Sequence, residues 1–137
     1  MREQRSVPVV VLAALLILVP VAAVAATFDG DPSTTERVDA ADPTSAAIQI
    51  SQARFAADAA AHVVLSRDDN FPDSLAGSAL TATGPLLLTA TSSLTPSSRT
   101  ELERVLPDGA AVYLLGGPVA IADAVEAQIK AMGYAPK

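Results

Sequence analysis

The chain has 137 residues, half of them hydrophobic, and its nine Lys and Arg against fifteen Asp and Glu leave a net charge of −6. That acidic balance excludes a basic nucleic-acid surface and offers no basic run for an anionic bilayer. Cysteine is absent and histidine occurs once, at His62, so a disulfide framework and most metal and nucleophile chemistry are excluded as well.

Arg2 and Arg5 precede an almost unbroken apolar run over 7–22, and Ala23-Val24-Ala25 sets small residues at the −3 and −1 positions of a cleavage site. Charge, apolar core and small-x-small in that order describe a secretory signal peptide over 1–26, cut after Ala25 or Ala26. The alternative is an uncleaved membrane anchor: residues 7–26 just reach the ~20 needed for a span. Pro20 and the alanine cluster favour cleavage. Loss of Arg2, Arg5 and Glu3 with that segment takes the charge from −6 to −7 and leaves 111 residues, the size of one domain. A Cys-free, Ala-rich, acidic exported domain fits a bacterial surface protein.

The stretch 27–43 is polar, contains Gly30, Pro32 and Pro43, and follows no period. It reads as a tether, with Arg37-Val38 as a short edge element. A helix is predicted over 44–61, capped by Thr44 or Ser45. Ala47, Ile50, Arg54, Ala57 and Ala61 recur at three- and four-residue steps, with Ile48, Phe55 and Val63 as core candidates. The period then changes. His62-Val63-Val64-Leu65-Ser66 suits a buried parallel strand. Pro72 and Asp73 open a helix running to about Ala82.

The unit repeats: strand Leu86-Leu87-Leu88-Thr89, then a helix opened by Thr95-Pro96 with Leu102, Val105 and Leu106 on its buried stripe. A third strand, Ala111-Val112-Tyr113-Leu114-Leu115, exits at Gly116-Gly117-Pro118. A last helix over 120–132 stops at Gly133. Leu87 and Leu114 are expected to be central strand residues buried on both faces. Strands alternating with helices predict an α/β fold, a small three-layer sandwich with a short parallel sheet flanked by helices over 44–137.

Ligands of such sheets bind beyond the carboxyl ends of the strands. There the sequence places Arg67, Asp68, Asp69, Asn70 and Asp73 after the first strand, Thr89 with other hydroxyls after the second, and Gly116 and Gly117 after the third. These are the candidate ligand-binding residues. Asp73 also fits a plain role in stabilising its helix N-terminus. Asp68 and Asp69 form the only candidate pair for a cation, a weak one, and no metal or other cofactor is expected. Gly116-Gly117 lacks the further glycine of a dinucleotide fingerprint. Ser51 and Ser66 lack a Gly-x-Ser-x-Gly context, and no residue is assigned a catalytic role.

The sequence VVLSRDDNFPDSLAGSAL (63–80), GPLLLT (84–89) with LTPSSRTEL behind it, and VYLLGG (112–117) resembles the cell wall-binding repeat type 2 family of bacterial surface proteins, with the blocks in that family's order and spacing. Ahead of them Arg37, Val38, Asp42, Ala47, Ile50 and Ser51 fit the repeat's opening. Ala40, Pro43, Thr44 and Ala46 stand where the family has Gly, Arg, Tyr and Thr. The resemblance covers 37–134 and describes a single, degenerate repeat of a normally tandem unit. It implies non-covalent attachment to a cell-wall polymer, an anionic glycopolymer or one associated with peptidoglycan, at the cell surface and without enzymatic activity. Two other readings stand beside it: a structural unit that associates with other repeats, including a weak homo-oligomer, and a small wall-active hydrolase using Asp68, Asp69 or Asp73. The hydrolase lacks a second carboxylate cluster or a His partner.

Overall fold

A computed structural model describes residues 37–137. The expected signal peptide, 1–26, and most of the expected tether, 27–43, lie outside the described residues. The four strands are β1 (His62–Arg67), β2 (Leu86–Thr89), β3 (Ala111–Leu114) and β4 (Ala135–Pro136). They form one parallel sheet in the order β2-β1-β3-β4. β1 is the true centre: Leu65 pairs with Leu87 on one side and with Leu114 on the other. Val63 to Ser66 are all buried, as a strand covered on both faces should be.

Helices cover both faces, as the alternating pattern predicts. Val63, Leu65, Leu87 and Val112 join one core cluster with Leu102 and Val105 of α3 (Pro96–Val105) and Val125 and Ile129 of α4 (Asp123–Ala131). On the opposite side, α2 (Pro72–Gly77) brings its backbone onto the sheet through Gly77. A Cβ there would lie 2.1 Å from Leu115 Cδ1 and 3.2 Å from Val64 Cγ1, so a larger residue would have to push the Leu115 side chain aside. A 3₁₀ turn over Ser78–Leu80 finishes that helix earlier than the expected Ala82. α1 (Pro43–Arg54) packs along β2 and against α3. Among the described residues, no helix is long and apolar enough to cross a membrane.

Several local expectations are corrected. Asp42, not Thr44 or Ser45, caps α1: its Oδ1 accepts from the Ser45 amide at 2.9 Å and its Oδ2 from the Ser45 hydroxyl at 2.7 Å. These bonds hold the Asp42 carboxyl below the usual range. Arg37-Val38 has no regular structure. α1 stops at Arg54 rather than Ala61, because tertiary bonds claim the backbone beyond it. The Asp58 and Ala60 amides donate to the Arg104 and Val105 carbonyls, both at 3.0 Å. Ser51 is therefore the buried residue of α1, while Ile50, Ala57 and Ala61 are exposed.

β4 was not expected at all. It adds to β3 as an outer strand in which Pro136 needs no ladder donor, and the Lys137 amide reaches the Val112 carbonyl at 2.9 Å. Leu87 is fully buried but lies on the outer strand β2, and Leu114 is only half-buried.

Candidate functional site at the carboxyl edge of the sheet

The parallel sheet delivers β1, β2 and β3 to one edge. Beyond β1 the Asp68 amide donates to the Thr89 carbonyl at 2.9 Å, which holds the start of the loop beside the end of β2. The chain then turns through Asp69, Asn70 and Phe71 before Pro72 starts α2. Arg67 folds over this turn. Its Nε donates to Asp69 Oδ1 and its Nη2 to Asp69 Oδ2 at 2.8 Å, a two-pronged contact across two residues. The guanidinium beside it holds the Asp69 carboxyl below the usual range, and Arg67 is raised in turn.

Arg67, Asp68, Asp69 and Asn70 line one cavity of about 360 Å³ together with Pro43, Phe71, Ser74 and Leu88. The floor is ordered by hydroxyls, with Ser74 Oγ donating to the buried Ser66 Oγ at 2.9 Å. Thr89 is buried beneath the second loop. Its hydroxyl donates to the Ser93 carbonyl at 3.0 Å and accepts from the Thr95 amide at 2.9 Å, so it shapes that loop and has no free face. Thr95 stands at the N-cap of α3 as expected, but its side chain makes no capping contact.

Asp73 is half-buried in the first turn of α2 and abuts the third loop. Gly116 sits at φ 84°, and a Cβ there would meet Asp73 Oδ2 at 2.9 Å and Ala120 Cβ at 2.6 Å. The expected glycine turn after β3 thus lets Asp73 approach backbone. Gly116 and Gly117 line a second cavity of about 340 Å³ that also holds Asp123, Glu126 and Lys137. The candidate residues therefore divide: four share the first cavity, Asp73 meets Gly116, Gly117 belongs to the second, and Thr89 lies underneath.

Pro43, Phe71, Ser74 and Leu88 were missed as lining residues. Phe71 directly precedes the helix-opening Pro72, and no periodicity signals that it is 75% exposed. Among the described residues, no group of three or more His, Cys, Asp or Glu is arranged to hold a metal ion. His62 stands at the opposite end of β1, where its Nε2 lies 2.8 Å from the Leu80 carbonyl oxygen and its ring meets Tyr113 edge-on. The edge as built offers hydrogen-bond acceptors, an amide and an aromatic face, which suits binding.

The comparisons with known proteins follow the same outline. No curated protein is significantly similar in sequence. Solved structures that share the fold include two from Clostridium difficile. Cwp8 matches with a TM-score of 0.68 and 24% identity, over 72% of this chain and 18% of that one. Cwp6 matches with a TM-score of 0.53 and 20% identity, over 79% of this chain and 19% of that one. The chain thus corresponds to less than a fifth of either protein's length. The model of cell wall binding domain 2 (CWB2) matches residues 37–126, a span running from the lead into α1 through the loops of the sheet edge and into α4. With that span covering most of the chain and every element of the carboxyl edge inside it, this protein belongs to the cell wall binding domain 2 family.

Proposed function

We propose that this domain is an exported attachment module whose carboxyl-edge loops associate non-covalently with a cell-wall polymer, without catalysis of its own. The observation that carries this reading is the gathering of Arg67, Asp68, Asp69 and Asn70 into one cavity, inside the region that matches a cell wall binding family. Asp73 supports the loop from beside Gly116. Export rests on the signal-peptide pattern of 1–26. Sequencing the N-terminus of the secreted protein tests it: a start at Ala26 or Thr27 is expected, and recovery of the uncleaved chain in membranes favours the anchor instead.

Retention of the protein on purified cell walls, before and after secondary polymers are stripped, tests attachment. Retention lost on stripping is expected. Release of reducing ends or stem peptides that Asp69→Asn abolishes favours the hydrolase.

Self-association is a second reading. Leu75 is 70% exposed and Val119 86%, large apolar side chains that a second copy or a neighbouring repeat could cover. Sedimentation velocity up to ~100 μM tests it, since an interface of about −6 kcal/mol populates there. A single monomeric species removes it.

A further inference from the structure

We propose that the first cavity receives an uncharged pyranose ring, laid against the Phe71 ring with its hydroxyls on Asp68 and Asn70, and not a charged group of the polymer. This rests on the reading of the domain as a polymer-binding module and names the part of the polymer that it grips.

Phe71 supplies the first argument. It lines the cavity, is 75% exposed as a residue, and caps α2 only through its backbone. A singly exposed aromatic is unremarkable by itself. Here it stands within a cavity that Pro43 and Leu88 also line and whose remaining walls are polar, the mixture in which an apolar and aromatic surface carries contact area and a few polar groups fix orientation. The C–H face of a pyranose is apolar and matches it.

The polar inventory supplies the second. Among the described residues, the Asp68 carboxylate and the Asn70 amide have no side-chain partner. A carboxylate accepts twice, and an amide donates and accepts. Neighbouring sugar hydroxyls, each both donor and acceptor, satisfy that set. A phosphodiester, which carries no O–H and only accepts, leaves the Asp68 oxygens facing its own.

Charge supplies the third. One cation, Arg67, stands against Asp68, Asp69 and Asp73, and both prongs of Arg67 are already engaged by Asp69. An anionic group entering here meets net repulsion. A bare cation finds no group of three acidic or imidazole ligands among the described residues.

The test follows the Phe71 ring and the amides of 68–70 by NMR. The full chain is titrated with methyl β-glucopyranoside and its N-acetylglucosaminide as neutral probes, and with inorganic phosphate as the charged one. Saturable shifts with a glycoside and none with phosphate are expected. On purified walls, Phe71→Ala should weaken retention about tenfold while Phe71→Trp keeps it, the aromatic face being what matters. Retention should also change little between about 0.05 and 0.5 M NaCl, where charge-driven binding is screened away. Because Phe71 is exposed, Phe71→Ala should melt like the parent. Phosphate shifts without glycoside shifts, or walls holding Phe71→Ala as well as the parent, would overturn the sugar site and leave wall attachment standing. Glycoside shifts in a chain that walls do not retain would do the reverse.

Discussion

Two arginines in this domain each grip a carboxylate with both prongs of the guanidinium, and they do different things. Arg104 holds Glu101 one turn back on α3, with Nη2 at 2.6 Å and Nε at 2.8 Å. Arg67 holds Asp69 in the loop after β1. The Glu101 side chain is 2% exposed and that of Asp69 58%. Arg104 also donates Nη1 to the Phe55 carbonyl at 3.0 Å, and Gln52 of α1 donates to Glu101 at 3.3 Å, both across 49 residues. The Ser51 hydroxyl faces the same carboxylate, though outside ordinary hydrogen-bond geometry. The first pair therefore locks α1 and the segment after it onto α3. The second ties a loop to itself and leaves its outer face free. Identical chemistry becomes framework or site according to burial and to how many elements share it.

The largest expected effect breaks the buried pair. Arg104→Ala strands a carboxylate inside the α1–α3 seam, and removal of one partner of a buried pair is costly. With Arg104 itself 29% exposed, the loss should be about 2–3 kcal/mol, below the full range for a dry pair. Urea unfolding measures it. Acid gives the sign check. Burial pushes Glu101 up, but the bonds from Arg104 and Gln52 outweigh it and leave the carboxyl below its ordinary 4.5. Its contribution is thus fully present above that value and is lost as pH falls through the lower, folded one. In Arg104→Ala only the burial and weaker bonds remain, so the carboxyl rises. The deficit of the variant should then shrink as pH is lowered from 7 towards 4. A deficit independent of pH would mean that lost packing, not lost charge, explains the change.

Gly116→Ala moves the comparison to the sheet edge. The new Cβ inherits φ 84° and lies within 2.6 Å of Ala120 Cβ, so strain and crowding together should cost about 2 kcal/mol. Gly109 has a similar φ of 75° with open space around it, and Gly109→Ala should cost only the strain, about 1 kcal/mol. The difference between the two variants isolates the contact with Ala120 and Asp73. Equal costs would show that Asp73 yields freely. Wall retention should fall for Gly116→Ala alone, since only that loop touches Asp73.

What the sequence discloses and what it hides divide along similar lines. β1, β2 and β3 were legible because they are short apolar runs, Val63-Val64-Leu65 ahead of a polar loop and the other two beside Gly and Pro breaks. The candidate loop was legible because parallel strands deliver polar residues such as Arg67 to Asn70 to one edge. β4 was not, for two residues, one of them proline, carry no period. The end of α1 was hidden as well: 55–61 keeps an alanine-rich, helical composition, and only the carbonyls of Arg104 and Val105 claim its backbone. The Asp42-Pro43 start could have been read, since an acidic cap before a first-turn proline is a helix signal. Thr89 reads as a loop hydroxyl until its two internal bonds are seen.

The smallest expected effect on stability falls on the exposed pair, and it sharpens the contrast most. Arg67→Ala removes a contact between groups two residues apart, at the end of β1 and in the loop that follows it, joining no further element. Its melting temperature should stay within about 2 °C of the parent, as for exposed ion pairs in general. Asp69, freed from the guanidinium that depresses it, should titrate closer to its ordinary 3.8, which NMR can follow directly. Binding should respond where stability does not, because Arg67 shapes the wall of the cavity and the loop loses its only cation. Arg67→Lys separates the two contributions: it restores charge but not the two-pronged grip. If geometry governs, the lysine variant should bind walls as poorly as the alanine variant. If charge governs, it should bind nearly as well as the parent, and a polymer's anionic groups would then have to contact this loop after all. A large drop in melting temperature for Arg67→Ala would erase the distinction between the two pairs and place the loop in the framework.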